Sequence, residues 1–191
     1  MPKLGMEPIR RAALVDATIV EIGQAGTLDI TVSQIAKRAG MSSALAHHYF
    51  GGKEDIFAAA MRHILSDLQK EAQGRLKTAE TALARVRAII DACFTPVGFD
   101  PVNVNAWMIF YVQSRTSVKA RRLLRIYHRR LHSNLCHALR PISANPEADA
   151  ETLAALIDGI YLHQALSETG SAANAAARAH GVLDALLGTA Q

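Results

Sequence analysis

The sequence predicts an all-α protein of about nine helices. Apolar residues recur every three or four positions along most of the chain, which is the spacing of one helix face. The runs are separated by short stretches that contain Gly or Pro. No segment alternates apolar and polar residues with the β-branched content typical of a strand, so we expect no sheet.

The composition fits a globular protein. Half of the 191 residues are hydrophobic, which is enough for a buried core, and no apolar run approaches the roughly 20 residues of a membrane span. Cys93 and Cys136 lie far apart without a CxxC spacing, so the sequence indicates neither a disulfide scaffold nor a zinc ribbon. We therefore expect a cytoplasmic protein that is not anchored to a membrane.

The first predicted helix covers residues 9 to 25. It follows Pro8 and ends at Gly26, a residue type suited to a helix C-terminus. Its expected apolar face consists of Ile9, Ala13, Leu14, Ala17, Ile22 and Ala25.

Two short helices follow, and each begins with a capping residue. Thr31 precedes the second helix with Gln34 three residues on, the arrangement of a capping box, and Gly40 marks the end of that helix. Ser42 caps a third helix that runs to about Tyr49 and is broken by two glycines.

A long fourth helix is predicted over residues 53–76. Acidic residues lie in its first turn, where the helix dipole favours them. The later helices are expected between breaks near residues 78, 95–101, 117, 140–146 and 168.

The second and third helices match a helix-turn-helix. Their steep crossing requires small side chains at the contact, which Ala36 and Ala39 supply, and a glycine such as Gly40 where the chain turns in a left-handed conformation. Leu45 and Phe50 are expected to anchor the third helix. The opposite face should carry small or planar groups that fit a major groove: Ser42, Ser43, Ala44, Ala46, His47 and His48.

The run TVSQIAKRAGMSSALAHHYFGGKEDIF, residues 31–57, resembles the DNA-binding signature of the TetR family of one-component repressors. The resemblance implies a three-helix helix-turn-helix DNA-binding domain, here residues 1–52. It also implies a helical effector-binding and dimerisation domain, residues 53–191, and a homodimer. Where the family most often has Tyr, this chain has His47, whose imidazole can still hydrogen-bond a phosphate.

On this interpretation, residues near helix ends contact DNA phosphates and residues on the outward face approach the bases. The expected phosphate contacts are Thr31, His47, Tyr49 and Lys53, and the residues that lean toward bases are Ser42, Ser43, Ala44 and His48. Tyr49 has a second interpretation, a core residue with a satisfied hydroxyl. Because two reading helices on a twofold axis address half-sites roughly 34 to 36 Å apart, the expected partner is double-stranded DNA with a near-palindromic operator.

Metal binding is a rival interpretation of the histidines. Adjacent His47 and His48 point about 100° apart on a helix, which is poor for joint ligation. His128, His132 and Cys136 stand four residues apart, so they share a helix face and could hold zinc or copper, although neighbouring arginines would repel the ion.

Catalysis has no signature in the sequence. No nucleophile, base and orienting acid are signalled together, and no Gly-rich phosphate loop is present. We therefore expect neither an enzyme nor a cofactor.

The aromatic residues of the C-terminal part suggest a site for a cation. Trp107, Phe110 and Tyr111 share one predicted helix, Asp158 and Tyr161 are three apart on another, and Phe94 and Tyr127 come from two more. Aromatic rings with a carboxylate are what a quaternary ammonium ion requires, because it has no N–H to donate and is held by ring faces and a negative charge. The alternative is that these aromatic residues are plain core.

Four segments outside the DNA-binding signature resemble choline-responsive members of the TetR family: MPKLGMEPIRRAALVDAT, NAWMIFY, RRLHSNL and LAALIDGIYLHQALS. The resemblance implies repression of genes for choline uptake and oxidation to glycine betaine, relieved by choline. A repressor that senses a different cationic or apolar small molecule is the alternative. The candidate partners for the choline hydroxyl are Asn103, Asn105, Gln113 and Gln164.

The last two predicted helices, residues 150–167 and 171–188, are expected to form the dimer interface. Their Ala-rich face permits close approach to a twofold mate. The apolar residues expected there are Leu153, Leu156, Ile157, Ile160, Ala172, Ala176, Leu183 and Leu187. The alternative is that these helices only complete the protomer core.

Basic residues are concentrated between positions 101 and 146, a stretch without acidic residues. The run RTSVKARRLLRIYHRR is interpreted as a solvated helix face rather than a second nucleic-acid site. We expect its arginines, Arg121, Arg122, Arg125 and Arg129, to pair with acidic residues of other helices.

Overall fold

The computed structural model describes residues 5–167 and 169–188. Within these residues it contains nine α-helices, a short 3-10 turn at Val97–Phe99 and no strand, which confirms the predicted all-α fold. The helices are α1 (Met6–Ala25), α2 (Val32–Arg38), α3 (Ser43–Phe50), α4 (Lys53–Leu76), α5 (Ala82–Cys93), α6 (Pro101–Gln113), α7 (Val118–Leu139), α8 (Pro146–Ala165) and α9 (Ala172–Leu186). No helix of this part of the chain is long and apolar enough to cross a membrane.

Capping residues explain where the short N-terminal helices begin. The Thr31 hydroxyl accepts from the N–H of Gln34 at 3.2 Å, and the Gln34 side-chain oxygen accepts from the N–H of Thr31 at 2.7 Å, so the predicted capping box is confirmed. Ser42 accepts from the N–H of Leu45 at 3.3 Å and begins α3. Gly40 has a φ of 67°, the left-handed conformation expected in the turn.

The helices form two compact units. The first comprises the chain up to Leu65 and Pro101–Leu124, which is α1 to α3, the first half of α4, α6 and the start of α7. The second comprises Ser66–Asp100 and the chain from Arg125 onward. The domain division after residue 52 stays a prediction.

The core of the first unit lies where α1 meets the neighbouring helices. Its fully buried large side chains are Leu14, Ile22, Ile35, Ile56 and Phe110, of which Phe110 is 2% exposed. Ile9 and Ala25 were expected on the buried face of α1, but Ile9 is 61% exposed and Ala25 is also exposed. The buried face therefore covers only the middle of the helix.

α6 packs closely on α1 at Gly23. A Cβ built on Gly23 would lie 2.4 Å from the carbonyl oxygen of Val102, so only glycine permits this approach. The Asn105 side-chain amide donates to the carbonyl oxygen of Gly23 at 2.8 Å. Asn105 was a candidate partner for a ligand hydroxyl, and its amide is already committed to the contact between these helices.

The core of the second unit includes the inner faces of α8 and α9. Its largest fully buried side chains are Val86, Ile90, Leu135, Leu139, Leu153, Ile157 and Leu183. Of the residues expected at a dimer interface, Leu153, Ile157, Ile160 and Leu183 are therefore core of the protomer. That expectation was wrong for them, because apolar spacing alone does not distinguish a face packed within the chain from one that meets another copy.

The basic face of α7 is solvated, as predicted. Arg121, Arg122, Arg125 and Arg129 are all exposed. The expected pairing with acidic residues was wrong for Arg121, which donates to the carbonyl oxygens of Ser114 and Arg115. The other three arginines form no ion pair with any residue that the structure describes.

Candidate DNA-reading surface and effector-binding residues

α3 presents one face to solvent and packs the other against the rest of the first unit. The exposed residues at its start and along it are Ser42, Ala44, His47 and His48, and Ser43 is half-buried. Ala46 was also expected to point outward, which is wrong, because it is fully buried. Ala46 lies about 200° around the helix from Ala44, so a helix that is packed on one side cannot expose both.

Serine hydroxyls hold the turn between α2 and α3. The hydroxyls of Ser33 and Ser43 lie 2.8 Å apart and join the two helices. The backbone N–H of Met41 donates to the carbonyl oxygen of Ala36 at 2.8 Å. Ser42 and Ser43, which were predicted to lean toward bases, therefore also fix the helix on which they lie.

The imidazole of His47 is oriented by the end of its own helix. Nδ1 lies 2.9 Å from the carbonyl oxygen of Gly51, which can only accept, so Nδ1 carries the proton and donates. The Nε2 atom of this exposed side chain remains for other contacts. It can donate to a phosphate when the ring is protonated on both nitrogens.

Tyr49 is half-buried, and its ring lies against α1. The guanidinium of Arg11 is 5.6 Å from the ring centroid of Tyr49 and 5.0 Å from that of Phe50, which is cation–π geometry. Among the described residues no hydrogen bond to the Tyr49 hydroxyl is found. A packed ring with its hydroxyl left for another partner suits a phosphate contact better than the core interpretation.

Further contacts join the helix-turn-helix to its neighbours. Arg38 of α2 bonds Glu21 at 2.5 Å and Gln24 at 2.7 Å, both on α1.

Lys53, a predicted phosphate contact, is the first residue of α4. It is exposed, and its ammonium lies 5.5 Å from the ring centroid of Phe57. Thr31 is exposed and its hydroxyl serves the capping box. The DNA contacts of these residues stay predictions.

Trp107, Phe110 and Tyr111 come together on α6, within the first unit. The ring centroids of Trp107 and Phe110 are 5.5 Å apart, and those of Trp107 and Tyr111 are 5.6 Å apart in a T-shaped arrangement. Trp107 and Phe110 are buried. A cavity beside Phe110 holds about 30 Å³, room for about one water molecule, so these rings would have to move apart to admit an effector.

Asp158 lies on α8 in the second unit, and α7 binds both of its carboxylate oxygens. The Tyr127 hydroxyl donates to Oδ1 at 3.0 Å, and Nε2 of His128 lies 2.9 Å from Oδ2. The Asp158 side chain is only 26% exposed. A half-buried carboxylate with hydrogen-bonding neighbours is thus available in this unit.

The thiol of Cys93 lies close enough to Asp158 to sense its charge. Burial raises the pKa of the Cys93 thiol to about 12, and the negative charges of Asp158 and Asp91 add to the effect. Cys93 therefore stays protonated and is a poor nucleophile.

Tyr161 lies one turn beyond Asp158 and continues into a row of rings. Its hydroxyl donates to the carbonyl oxygen of Gly98 at 2.8 Å, and burial raises its pKa. Its ring centroid is 5.2 Å from that of Phe99, which is 6.5 Å from that of Phe94. Sequence reasoning singled out Asp158 and Tyr161 but did not place Phe99 beside them, because no spacing along the chain signals that contact.

The three residues proposed as metal ligands on α7 have other neighbours. His128 pairs with Asp158, and Nε2 of His132 is 3.9 Å from a carboxylate oxygen of Glu147. The Cys136 thiol donates to Glu147, which raises its pKa. Within residues 5–167 and 169–188, no three His, Cys, Asp or Glu side chains are grouped to hold a metal ion.

Two family profiles match the chain. Residues 14–60 match the bacterial regulatory proteins of the tetR family, and residues 82–188 match the C-terminal domain of the BetI-type transcriptional repressors. This chain belongs to the TetR family. The tetR-family profile covers the helix-turn-helix, and the BetI-type profile covers α5 to α9.

Relatives agree with this TetR assignment. The HTH-type transcriptional regulator BetI of Brucella suis is 49% identical over 168 residues, which cover 87% of this chain and 85% of that protein. A transcriptional regulator from Pseudomonas aeruginosa PAO1 has a similar structure, with a TM-score of 0.84 and 25% identity over 97% of this chain and 93% of that one. A regulator from Saccharomonospora viridis in complex with choline has a TM-score of 0.81 and 20% identity over 91% and 95%.

Membership in the TetR family establishes the general activity. The chain is a DNA-binding transcriptional repressor with a BetI-type C-terminal domain and not an enzyme. The resemblance predicted from the helix-turn-helix is therefore confirmed.

Proposed function

We propose that this TetR-family repressor controls genes for choline uptake and oxidation to glycine betaine, and that choline releases it from its operator. The observation that carries the proposal is the half-buried carboxylate of Asp158 beside aromatic residues. Two of the comparisons support choline as the effector. One is the similarity to the regulator BetI of Brucella suis, and the other is the similar structure from Saccharomonospora viridis, which is a complex with choline.

The chemistry of choline fits the surroundings of Asp158. A quaternary ammonium ion cannot donate a hydrogen bond, so it needs a negative charge and ring faces. Asp158 supplies the charge. The Tyr127 hydroxyl contacts it from α7, and Tyr161 lies one turn further along α8. His128 is a competitor, because its Nε2 already contacts the same carboxylate at 2.9 Å. The α6 rings, Trp107, Phe110 and Tyr111, remain proposed ligand residues of the first unit.

Calorimetry with two matched ligands tests the proposal. Choline and 3,3-dimethylbutan-1-ol have the same shape, but only choline is charged. We expect choline to bind more tightly, and Asp158→Asn to weaken choline binding roughly 10- to 100-fold while leaving the alcohol unaffected, because the substitution removes the Coulomb attraction between the ammonium ion and a half-buried carboxylate. His128→Gln should tighten choline binding a few-fold, since it removes the imidazole that contacts the Asp158 carboxylate.

Glu151→Gln is the control for these titrations, because Glu151 is an exposed carboxylate on the same helix. Equal binding of choline to the Asp158→Asn and Glu151→Gln variants would exclude Asp158 as the counter-charge. Equal binding of choline and the alcohol to the wild type would favour an apolar effector instead.

We also propose that the repressor acts as a homodimer through the outer faces of α8 and α9. The residues of those faces that remain exposed are Ala155, Gly159, Leu162 and Leu166 on and just after α8, and Ala177, Gly181, Ala185 and Leu186 on α9. Leu162 is 44% exposed and Leu166 is 70% exposed. Small residues beside exposed leucines allow two helices of a twofold mate to approach closely.

Light scattering after size exclusion tests the dimer. Leu162→Asp with Leu166→Asp should produce a folded monomer with a much weaker operator affinity. Val112→Asp is the matched control, because Val112 is 69% exposed on α6 and lies outside the proposed interface. An unchanged dimer in the double variant would exclude this face.

We propose that α6, which carries the proposed ligand residues Trp107, Phe110 and Tyr111, transmits effector binding to the DNA-reading helices. α6 is held against α1 by the close contact at Gly23 and the bond from Asn105. The hydroxyl of Ser117, the residue before α7, donates to Glu54 near the start of α4 at 2.7 Å. A displacement of α6 would therefore tilt α1 and the helix-turn-helix that packs on it. Choline can drive this only if it binds the two conformations with different affinities.

Operator titrations with and without choline test that coupling. We expect saturating choline to weaken binding to a near-palindromic fragment by at least tenfold. Operator affinity that is the same with and without saturating choline would exclude induction by choline.

A further inference from the structure

A second cavity lies in the second unit, away from the residues proposed to bind choline. It has a volume of about 360 Å³, within the range of small-molecule sites. Its walls come from the end of α4, from α5, from the C-terminal half of α7 and from the start of α8. Neither Asp158 nor Tyr161 belongs to its lining.

The charged side chains of this cavity are mainly basic. They are Arg85 on α5 and His132, His137 and Arg140 on or just after α7, against the single carboxylate of Glu147. Both Arg140 and His132 approach that carboxylate to 3.9 Å only. Such distances are about 1 Å longer than a charge-assisted hydrogen bond, so Glu147 forms a close pair with neither residue.

Arg85 is the side chain of this cavity that is best suited to bind an anionic ligand. Its side chain is half-buried, and it forms neither an ion pair nor a hydrogen bond with any residue that the structure describes. A guanidinium carries five N–H donors in a planar fork that matches a carboxylate or phosphate. By contrast Arg87, two residues further along α5, bonds Asp184 at 2.8 Å.

Leu76 is the partly exposed apolar side chain of the cavity wall, whereas Ile89 and Ala138 behind it are each only 3% exposed. An inorganic anion would leave most of the volume unused, whereas a small organic anion would fill more of it.

We propose that this cavity binds a small organic anion, with its carboxylate against Arg85 and its apolar body against Leu76. The site is separate from the choline proposal and does not depend on it.

Calorimetry on the full chain with hexanoate, hexanamide and inorganic phosphate tests the site. We expect saturable binding of hexanoate, with hexanamide and phosphate each at least tenfold weaker. Arg85→Gln should weaken hexanoate at least tenfold, and Arg85→Lys should weaken it less, because lysine keeps the charge and loses the fork. Arg129→Gln is the control, since Arg129 is an exposed arginine of α7 outside the cavity, and it should change the affinity less than twofold.

Three results would overturn the assignment. These are hexanoate affinity that is equal in Arg85→Gln and wild type, equal affinities for hexanoate and hexanamide, and phosphate binding that is as tight as hexanoate binding. Thermal denaturation of Arg85→Gln separates a lost site from a lost fold, because removing a cation without a bonding partner should leave the melting temperature unchanged. Choline titration of the same variant should match the wild type, which keeps this test independent of the proposed effector.

Discussion

The bonds that hold the DNA-reading helices join residues that are closer together along the chain than the bonds around Asp158 do. In α2 and α3 the bonds join residues three apart, as in the two N-caps, or ten apart, as between Ser33 and Ser43, and those of Arg38 to α1 span at most 17 residues. Around Asp158 they join residues 31 apart, from Tyr127, and 63 apart, from Tyr161 to Gly98. A substitution in the first region therefore has a local effect, whereas one in the second acts on several helices at once.

The largest effect should be found at Cys93, where distant residues act on one thiol. Because burial, Asp158 and Asp91 raise its pKa to about 12, its thiolate fraction at pH 8 is about 1,000-fold lower than that of an ordinary cysteine. Only the thiolate reacts with iodoacetamide, so native Cys93 should be alkylated about 1,000-fold more slowly than in urea. Mass spectrometry of the Cys93 peptide measures the rate separately from Cys136.

The Asp158→Asn variant measures the contribution of charge to the pKa of Cys93, because it removes one negative charge and leaves the packing largely in place. Alkylation of native Cys93 should then become faster. Equal rates in native and unfolded wild type would contradict the raised pKa of the Cys93 thiol.

Gly23→Ala should have the next largest effect, since it inserts a methyl group where α1 and α6 touch. The new Cβ would meet the backbone of Val102, which cannot move without shifting α6. We expect a loss of about 3 kcal/mol in the free energy of unfolding, measured by urea denaturation. Gly74→Ala in α4 is the control: no atom lies within 4 Å of its Cβ, so it should gain up to about 1 kcal/mol. Equal stability of the two variants would show that α6 does not depend on this contact.

Within α3, the same substitution at two positions distinguishes packing from reading. Ala46→Leu enlarges a fully buried side chain and should cost about 2 kcal/mol of stability. Ala44→Leu enlarges an exposed one and should leave the melting temperature unchanged while weakening operator binding. Thermal denaturation and gel-shift titration of both variants measure the difference, and a reversed pattern would invert the assigned faces of α3.

Thr31→Ala should have the smallest effect, because both bonds that it removes are to one neighbour, Gln34. Loss of an N-cap costs about 1 kcal/mol, which urea denaturation resolves. Thr152→Ala is the control, since the Thr152 hydroxyl lies in the interior of α8 and donates to the carbonyl oxygen of Ala148. Alanine favours a helix interior, so this variant should be no less stable than the wild type. A Thr31→Ala variant as stable as the control would mean that the capping box is dispensable.

The errors in the sequence analysis follow from the same difference in reach. Helix ends and caps were predicted because Thr31, Ser42 and Gly40 act on neighbours three or four residues away. Ala46 was misplaced because alanine is common on both buried and exposed faces, so its residue type does not indicate which face packs. The bond from Tyr127 to Asp158 could not be inferred, because it depends on how α7 lies against α8.

The sequence alone determined the all-helical fold, the helix-turn-helix and the membership in the TetR family. Periodicity, caps and a contiguous signature express interactions between residues that are close along the chain. The tertiary structure alone decided which faces of α8 and α9 are core, that Gly23 carries the docking of α6, and that His128 already occupies the carboxylate of Asp158. It also left Arg85 in a cavity without a bonding partner among the described residues. These features depend on helices that meet after long intervals of chain, where packing rather than local propensity selects the contact.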